Sequence, residues 1–446
     1  MIRLLLYSCC SLILASCGGS KVLKHIDAEP RYQEAFTGFF LADALDGEVL
    51  EALNADKLFT PASNTKLLTL ATCLEWLPQD SLPALAYDMR ADTLQLWALA
   101  YPLLAADNSS YNESIRSFIA SWEGPVEINL HGYNSLPRFG EGWMWDDYNY
   151  AFARERSGMP FYSNMATAWR IPDTSYTLQI EGEDREITRT RYSSRPDFIN
   201  AQGWTDVYLG NLNREEFSNR FYVSSNSSVG DTVSAPLYSS RNMIAQLMED
   251  WTGHTTRHHT RPLPRDWGSR TWKGEHRDTL LKAMLHPSDN FLAEQLLLEA
   301  GLYAKELTDV KQVLAKAQEE VLQISNDNLA WADGSGVSHY NMVTPRALGM
   351  LVQRLSAKHG IDFLAQLLPA GGESGTIAKW YKGPNGKPYI FAKTGTLRHN
   401  HCLTGLLQAK SGRWLTFSFM HNHYRGSSKD YKEAMEKTLA LIRDTY

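Results

Sequence analysis

Residues 61–78 read PASNTKLLTLATCLEWLP, and the reading of this stretch decides the fold. Pro61 precedes the run, Leu67, Leu68, Leu70, Ala71, Leu74 and Leu77 fill it, and Pro78 ends it, so the spacing predicts a helix over Ala62–Leu77. Apolar residues fall on most of its sides, which marks a helix buried at the centre of a core. At its start Ser63 and Lys66 stand three residues apart, on one helical face, with Cβ atoms roughly 5–6 Å apart. A serine is a weak nucleophile until a neighbouring base takes its proton. Lys66 can be that base only when neutral, and moving its pKa from about 10.4 towards 7 takes roughly 4 to 5 kcal/mol of destabilised charge. Burial and a second cation nearby produce such a shift. Free N–H groups at the helix start can in addition hold a developing oxyanion.

The rest of the chain sets the context for that pair. At about 150 residues per domain, 446 residues correspond to roughly three domains. With 13 Trp, 21 Tyr and 16 Phe the chain has ample surface to bury, which excludes a disordered protein. A formal charge of -6 offers no basic field for a phosphate backbone, so nucleic acid is not an expected partner.

Met1 to Ser20 reads MIRLLLYSCCSLILASCGGS. Its apolar run from Leu4 to Leu14 is too short to stay in a bilayer as a spanning helix and is expected to be an export signal over residues 1–16. The Leu14-Ala15-Ser16-Cys17 end resembles a bacterial lipobox, in which Cys17 takes the lipid and becomes the first mature residue. The expected product is exported and periplasmic, held by lipid alone to the inner or the outer membrane. The mature chain then keeps Cys17, Cys73 and Cys402, which allow at most a Cys73–Cys402 bridge and no structural zinc site. His254, His258, His259, His421 and His423 lack a carboxylate at ligand spacing and are read as surface or loop residues, so no metal is expected.

From about Ala86 short alternating runs appear, such as Val126–Leu130, Tyr176–Ile180 and Arg220–Val223, broken by Gly, Asn, Ser and Asp. Helical spacing returns at Asn242–Trp251, Asp278–Leu285, Asn290–Ala300 and Thr308–Ile324. Thr344-Pro345 has the form of an N-cap with proline at the first helical position. Strands are expected at Tyr389–Lys393 and Trp414–Met420, and a last helix at Ser428–Arg443, whose alternating charges from Lys429 to Lys437 are read as a solvated face.

Ser63 and Lys66 form the one Ser-x-x-Lys match in the chain. Ser288-Asp289-Asn290 follows Pro287 at the start of a helix, and Lys393-Thr394-Gly395, which also occurs once, ends a strand. The glycine lets another backbone lie close to the strand, and the lysine can meet a carboxylate or be the second cation beside Lys66. Period two places Lys393 and Thr394 on opposite faces of an ideal strand, so both reach a substrate only at a twisted edge.

Ser-x-x-Lys, Ser-Asp-Asn and Lys-Thr-Gly in this order make up the set of class A β-lactamases and penicillin-binding proteins. The chain resembles the D-alanyl-D-alanine carboxypeptidase/endopeptidase family, the low-molecular-mass class C penicillin-binding proteins. Asp333-Gly334-Ser335-Gly336 with Ser338 and Asn341, and Gly142-Trp143-Met144-Trp145-Asp146-Asp147, resemble further family segments. With 221 residues between Lys66 and Ser288, the resemblance implies an α/β, serine β-lactamase/DD-peptidase-like transpeptidase domain, an antiparallel sheet flanked by helices, formed by residues 17–85 and 263–446. Residues 86–262 would be an inserted, mainly β region of two subdomains, where the resemblance is weakest between Tyr176 and Thr260.

The same resemblance implies a serine-type D-Ala-D-Ala carboxypeptidase or endopeptidase that acts on peptidoglycan stem peptides without a cofactor and is acylated by β-lactams. In that family Ser63 would be the nucleophile and Lys66 its base, with the N–H groups of Ser63 and Thr396 as oxyanion hole. Ser288 would pass a proton to the leaving amine, Asn290 would hold the acyl side chain, and Lys393 with Thr394 and Gly395 would take the substrate carboxylate. Asp147 and Phe152 would contact the stem peptide from the insert. His339 stands where relatives often carry Arg, and Arg398 where they carry a polar amide, so Arg398 is the candidate replacement cation. The alternatives are a β-lactamase or esterase, for which Glu294 or Glu373 would have to activate water, and a catalytically silent wall-binding lipoprotein.

Overall fold

In the computed structural model, the described residues are 20–106, 109–170, 176–180, 183–187, 212–214, 216–217, 219, 221–223, 232–305 and 307–446. The expected signal at residues 1–16 and the lipid-bearing Cys17 lie outside them, as does much of the stretch from Tyr176 to Thr260.

A five-stranded antiparallel sheet runs Ile390–Leu397, Asn400–Gln408, Trp414–Asn422, Phe36–Asp43, Val49–Leu53. The two ends of the chain therefore build one sheet, in the register Phe36 opposite Asn422 to Asp43 opposite Leu415. Period two divides its side chains. Ile390, Ala392, Leu403, Phe417 and Phe419 pack against Val22 and Ile26 of the helix Lys21–Ala28 and against Met435 and Leu439 of the helix Ser428–Thr445. Cys402, Leu406 and Met420 face the other way, into a larger core with the helices Lys66–Trp76, Asn290–Lys305 and Pro345–His359.

Helix Lys66–Trp76 is buried at every position except Glu75, as its apolar composition requires. It is preceded by a tight 3-10 turn, Ala62–Thr65, so the expected single helix over Ala62–Leu77 has two geometries. Thr344 caps the next helix through its hydroxyl, which accepts from the N–H of Ala347. The run Thr308–Ile324 is helical only over Val310–Ala317 and then widens into a π turn, Gln318–Leu322, that ends on left-handed Gln323. Strand Asn400–Gln408 and helix Ser110–Ala120 were not legible in the periodicity.

A second five-stranded sheet runs Thr256–His258, Val126–Asn129, Thr93–Trp97, Ser81–Arg90, Thr271–His276. Its inner pairs are parallel on one side and antiparallel on the other, and the helices Ser110–Ala120 and Arg241–Thr252 accompany it. Strand Ser81–Arg90 runs across residues 85 and 86, and Thr271–His276 pairs with it from the far side of residue 263. A four-stranded antiparallel sheet runs Thr232–Pro236, Met165–Arg170, Tyr176–Ile180, Glu183–Ile187, and a two-stranded one joins Leu212–Arg214 to Phe221–Val223.

Two histidines differ from expectation. His421 is fully buried, stacked on Tyr32 with ring centroids 4.8 Å apart, and His259 is buried edge-on to Trp97. Both sit on sheet strands or at their ends, where the neighbouring aromatic rings cover them. Cys73 and Cys402 are separate, buried free thiols.

Candidate active site

Ser63 lies in the turn Ala62–Thr65, opened by Ala62 at φ +48°. The Asn64 N–H donates to the Pro61 carbonyl at 3.1 Å and the Thr65 hydroxyl to that of Ala62 at 2.8 Å. Two glycines make room for this turn. A β-carbon at Gly336 would lie 1.9 Å from the Ala62 carbonyl oxygen, and one at Gly395 would lie 2.2 Å from that of Pro61. The loop after Asp333 and the strand Ile390–Leu397 can close on the serine only because both contact points lack a side chain.

Lys66 is fully buried, with Nζ 3.0 Å from Ser63 Oγ, 2.6 Å from Asn290 Oδ1 and 2.6 Å from the Ser335 carbonyl oxygen. Burial lowers its pKa to about 8, against the opposing fields of Asp333, Asp289 and Glu294. The two oxygens of Asn290 and Ser335 can only accept. When the amine is neutral they hold its two N–H groups, and its lone pair is left facing the Ser63 hydroxyl.

Ser288 adopts φ +65°, a conformation that ordinarily favours glycine, immediately before the helix Asn290–Lys305. Its hydroxyl accepts from Lys393 Nζ at 2.8 Å. The Asn290 amide donates to the Phe152 carbonyl at 2.8 Å, which ties the insert to the catalytic helix. Lys393 is fully buried and also donates to the Thr394 carbonyl at 2.9 Å, so its stem folds along the strand edge. Burial, followed by the positive field of Lys66, holds its amine well below the usual lysine range.

Strand Ile390–Leu397 is the edge of its sheet. The Ala392 N–H points away from the partner strand, since it donates to Pro369 at 2.9 Å. Alternation then turns the N–H of Thr396 outward as well, on the edge where Gly395 abuts Ser63. Ser63, Ser288, Thr376, Thr394, Thr396 and Lys432 line a cleft of about 310 Å³. Thr376 and Lys432 were not singled out by the sequence. Lys432 belongs to the run read as a solvated face, but the helix Ser428–Thr445 turns it into this cleft.

The loop after Asp333 is organised by that carboxylate. It accepts from the N–H groups of Gly336 at 2.8 Å and Ser338 at 2.7 Å, from Asn341 Nδ2 at 2.7 Å and from the Trp143 indole at 2.8 Å. Glu294 accepts from the Ser335 N–H at 2.8 Å and pairs with buried Arg156 at 2.7 Å. These bonds occupy Glu294 structurally, so it is not a free water-activating carboxylate. Glu373 stands on an exposed turn.

Asp147 is half-buried in the turn Trp145–Asn149, and burial and Asp146 raise its carboxyl while exposed His339 opposes them. Phe152 is exposed and stacks on Tyr150 with centroids 5.3 Å apart. Arg398 lies elsewhere, in an adjoining cleft with Thr396, His399 and Tyr424. Among the described residues no contact joins Arg398 to His339.

Residues 276–442 match the model of the D-Ala-D-Ala carboxypeptidase 3 (S13) family, a span that holds Ser288–Asn290 and Lys393–Gly395. The chain is 24% identical to a D-alanyl-D-alanine carboxypeptidase of an Actinomadura strain, over 93% of this chain and 84% of that one. It is 20% identical to a penicillin-sensitive carboxypeptidase A of Dictyostelium discoideum, over 99% and 91%. The crystal structure of penicillin binding protein 4 from Haemophilus influenzae superposes with a TM-score of 0.71 at 16% identity, covering 95% of this chain and 100% of that one. The fold is thus that of the serine β-lactamase and DD-peptidase class. With three motifs converging on one cleft, the part of the chain from residue 276 to 442 is similar to the D-Ala-D-Ala carboxypeptidase 3 (S13) family.

Proposed function

We propose that this protein is a serine-type D-Ala-D-Ala carboxypeptidase/endopeptidase acting on peptidoglycan stem peptides. The observation that carries the reading is Lys66 Nζ, fully buried and 3.0 Å from Ser63 Oγ. Names of relatives agree, including a penicillin-sensitive carboxypeptidase and a penicillin binding protein solved with a β-lactam.

Ser63 Oγ forms a bond to the carbonyl carbon of the penultimate D-Ala while Lys66 Nζ takes its proton. The N–H groups of Ser63 and Thr396 hold the oxyanion. When the carbonyl re-forms, the bond to the terminal residue's nitrogen breaks, and the proton that Lys66 took from Ser63 passes to that amine by way of the Ser288 hydroxyl, beside Lys393, which leaves Lys66 neutral and Ser288 unchanged. Water then attacks the ester, its proton goes to Lys66, and Ser63 leaves with a proton restored. Asn290 fixes Lys66 through its oxygen and meets the insert through its nitrogen. Asp147 and Phe152 face the stem peptide, with His339 beside Asp147. A β-lactam follows the same first step but keeps its amine attached, and with Glu294 committed to Arg156 the resulting ester is released slowly.

The N-terminal pattern supports export with lipid on Cys17 and a periplasmic location. Helix Lys21–Ala28, capped by Ser20, packs through Val22 and Ile26, so such a tether would be only a few residues long. Labelled penicillin tests the enzymatic reading: a covalent adduct on the protein that disappears in Ser63→Ala is expected, and the lack of one on the unaltered protein would overturn it. Incubation with muropeptides, read by mass spectrometry, separates loss of one D-Ala from cleavage of cross-linked dimers. Mass analysis of the N-terminal peptide from membranes tests the lipid on Cys17.

A further inference from the structure

The cleft beside Ser63 is lined by five hydroxyl-bearing residues and one lysine, Lys432, with no acidic residue among them. Lys393 is poorly placed to neutralise an anion there. It is fully buried, and its amine already donates to Ser288 and to the Thr394 carbonyl. Lys432 differs in each respect. It is half-exposed, its Nζ lies 5.6 Å over the Trp380 ring, and no carboxylate pairs with it among the described residues. The nearest acids along its helix are taken: Asp430 faces Arg31 at 3.9 Å, Glu433 faces Lys429 at 3.7 Å, and Glu436 accepts from the Tyr381 N–H at 2.6 Å.

The hydroxyls beside it are oriented from behind. Thr394 Oγ1 lies 2.7 Å from Thr376 Oγ1, and Thr396 Oγ1 lies 2.9 Å from His401 Nδ1. With His401 neutral and its Nδ1–H donating, the Thr396 hydroxyl proton is free to point into the cleft. The charge of Lys432 reaches His401, where together with burial it opposes an imidazolium.

We propose that Lys432 is a specificity-determining residue whose ammonium, with the hydroxyls of Thr394 and Thr396, binds the C-terminal carboxylate of the scissile peptide. This rests on the DD-peptidase reading above. It reassigns the charge in carboxylate recognition from the motif lysine to a helix outside the three motifs, and leaves Lys393 to the proton traffic at Ser288.

The test compares a peptide ending in D-Ala-D-Ala with the same peptide as its C-terminal amide, on the unaltered full chain, Lys432→Met and Lys432→Arg. Methionine keeps the apolar stem over Trp380. A charged hydrogen bond lost at the carboxylate corresponds to a roughly ten- to hundred-fold loss in kcat/KM. That loss is expected in Lys432→Met for the acid, mainly through KM, with the amide little changed and the arginine variant partly rescued. An acid-to-amide preference in Lys432→Met equal to that of the unaltered protein overturns the proposal, as does an equal fall for both peptides. Added salt supplies a second reading without substitution: KM for the acid should rise and that for the amide should not. Failure of the unaltered protein to form a Ser63 adduct with labelled penicillin would instead overturn the underlying reading.

Discussion

Gly395 and Ser63 are in backbone contact: a β-carbon on Gly395 would stand 3.1 Å from Ser63 N and 2.2 Å from the Pro61 carbonyl oxygen. The strand that supplies one candidate oxyanion donor is thereby fixed against the residue that supplies the other. Gly395→Ala must push the strand from the turn. Overpacking of this kind costs about 1–3 kcal/mol, whereas a displacement near 1 Å at a reacting centre costs about a hundred-fold in rate. Acylation by labelled penicillin should fall by about that factor while the urea midpoint moves modestly. Gly268→Ala, where none of the described residues lies within 4 Å of the added carbon, is the control and should change neither.

Lys66 makes acylation pH-dependent in a definite direction. Its pKa of about 8 means that roughly one molecule in ten carries the neutral amine at pH 7. The acylation rate should rise with pH and level off above about 8, measured as adduct formation in buffers of matched ionic strength. Stability runs the same way. The folded pKa lies below the unfolded value, so below about pH 8 the buried ammonium costs about 3 kcal/mol, and that cost fades as pH rises towards 10.5. Lys66→Met should be more stable at neutral pH and acylate at least a hundred-fold more slowly. A destabilised Lys66→Met in urea titrations would show that the ammonium's hydrogen bonds outweigh its desolvation.

Asp333 touches neither Ser63 nor Lys66 directly, but it shapes the loop whose Ser335 carbonyl holds the lysine. Asp333→Asn keeps the shape and replaces one accepting oxygen by a donor facing N–H groups. Loss of a charged acceptor and the donors left unpaired should cost about 2–4 kcal/mol in urea unfolding. As a positioning residue, Asp333 should also change the pH profile. With Ser335 displaced, the apparent pKa of acylation should move, which a purely structural loss would leave in place.

The central helix was legible because nearly every position from Leu67 to Leu77 is apolar or small, a pattern that few other arrangements satisfy. Strand Asn400–Gln408 was not, since it is buried on both faces and its sequence NHCLTGLLQ carries no alternation. The motif residues Ser63, Lys66, Ser288 and Lys393 could be named because each pairs a reactive group with a fixed neighbour in sequence, and the structure sets them around one cleft. Lys432 has no such neighbour. Its helix is amphipathic with charges at regular intervals, and only the packing of Tyr431, Ala434 and Met435 decides which lysine is turned inward. His421 was misread for a similar reason: its burial comes from Tyr32, nearly four hundred positions away, through the pairing of the chain ends.

His401 and His421 stand opposite each other on adjacent strands, both fully buried, and Nε2 of each lacks a hydrogen-bond partner among the described residues. Burial lowers His401 to about pKa 3 and holds His421 well below its ordinary range. In the unfolded chain both take a proton near pH 6.5, so on acidification below that value the unfolded state gains two protons that the buried rings of the folded one resist. Stability should therefore fall with acidification below pH 6, by about 1.4 kcal/mol per pH unit for each histidine. Phenylalanine at 421 suits the surrounding rings of Tyr32, Phe419 and Tyr431, though it forfeits the 3.0 Å contact with Thr37. Urea unfolding at pH 6, 5 and 4 should show the slope reduced by one histidine's share in His421→Phe. An unchanged slope would mean that His421 is protonated in the folded protein, with a charge balanced by a group not yet identified.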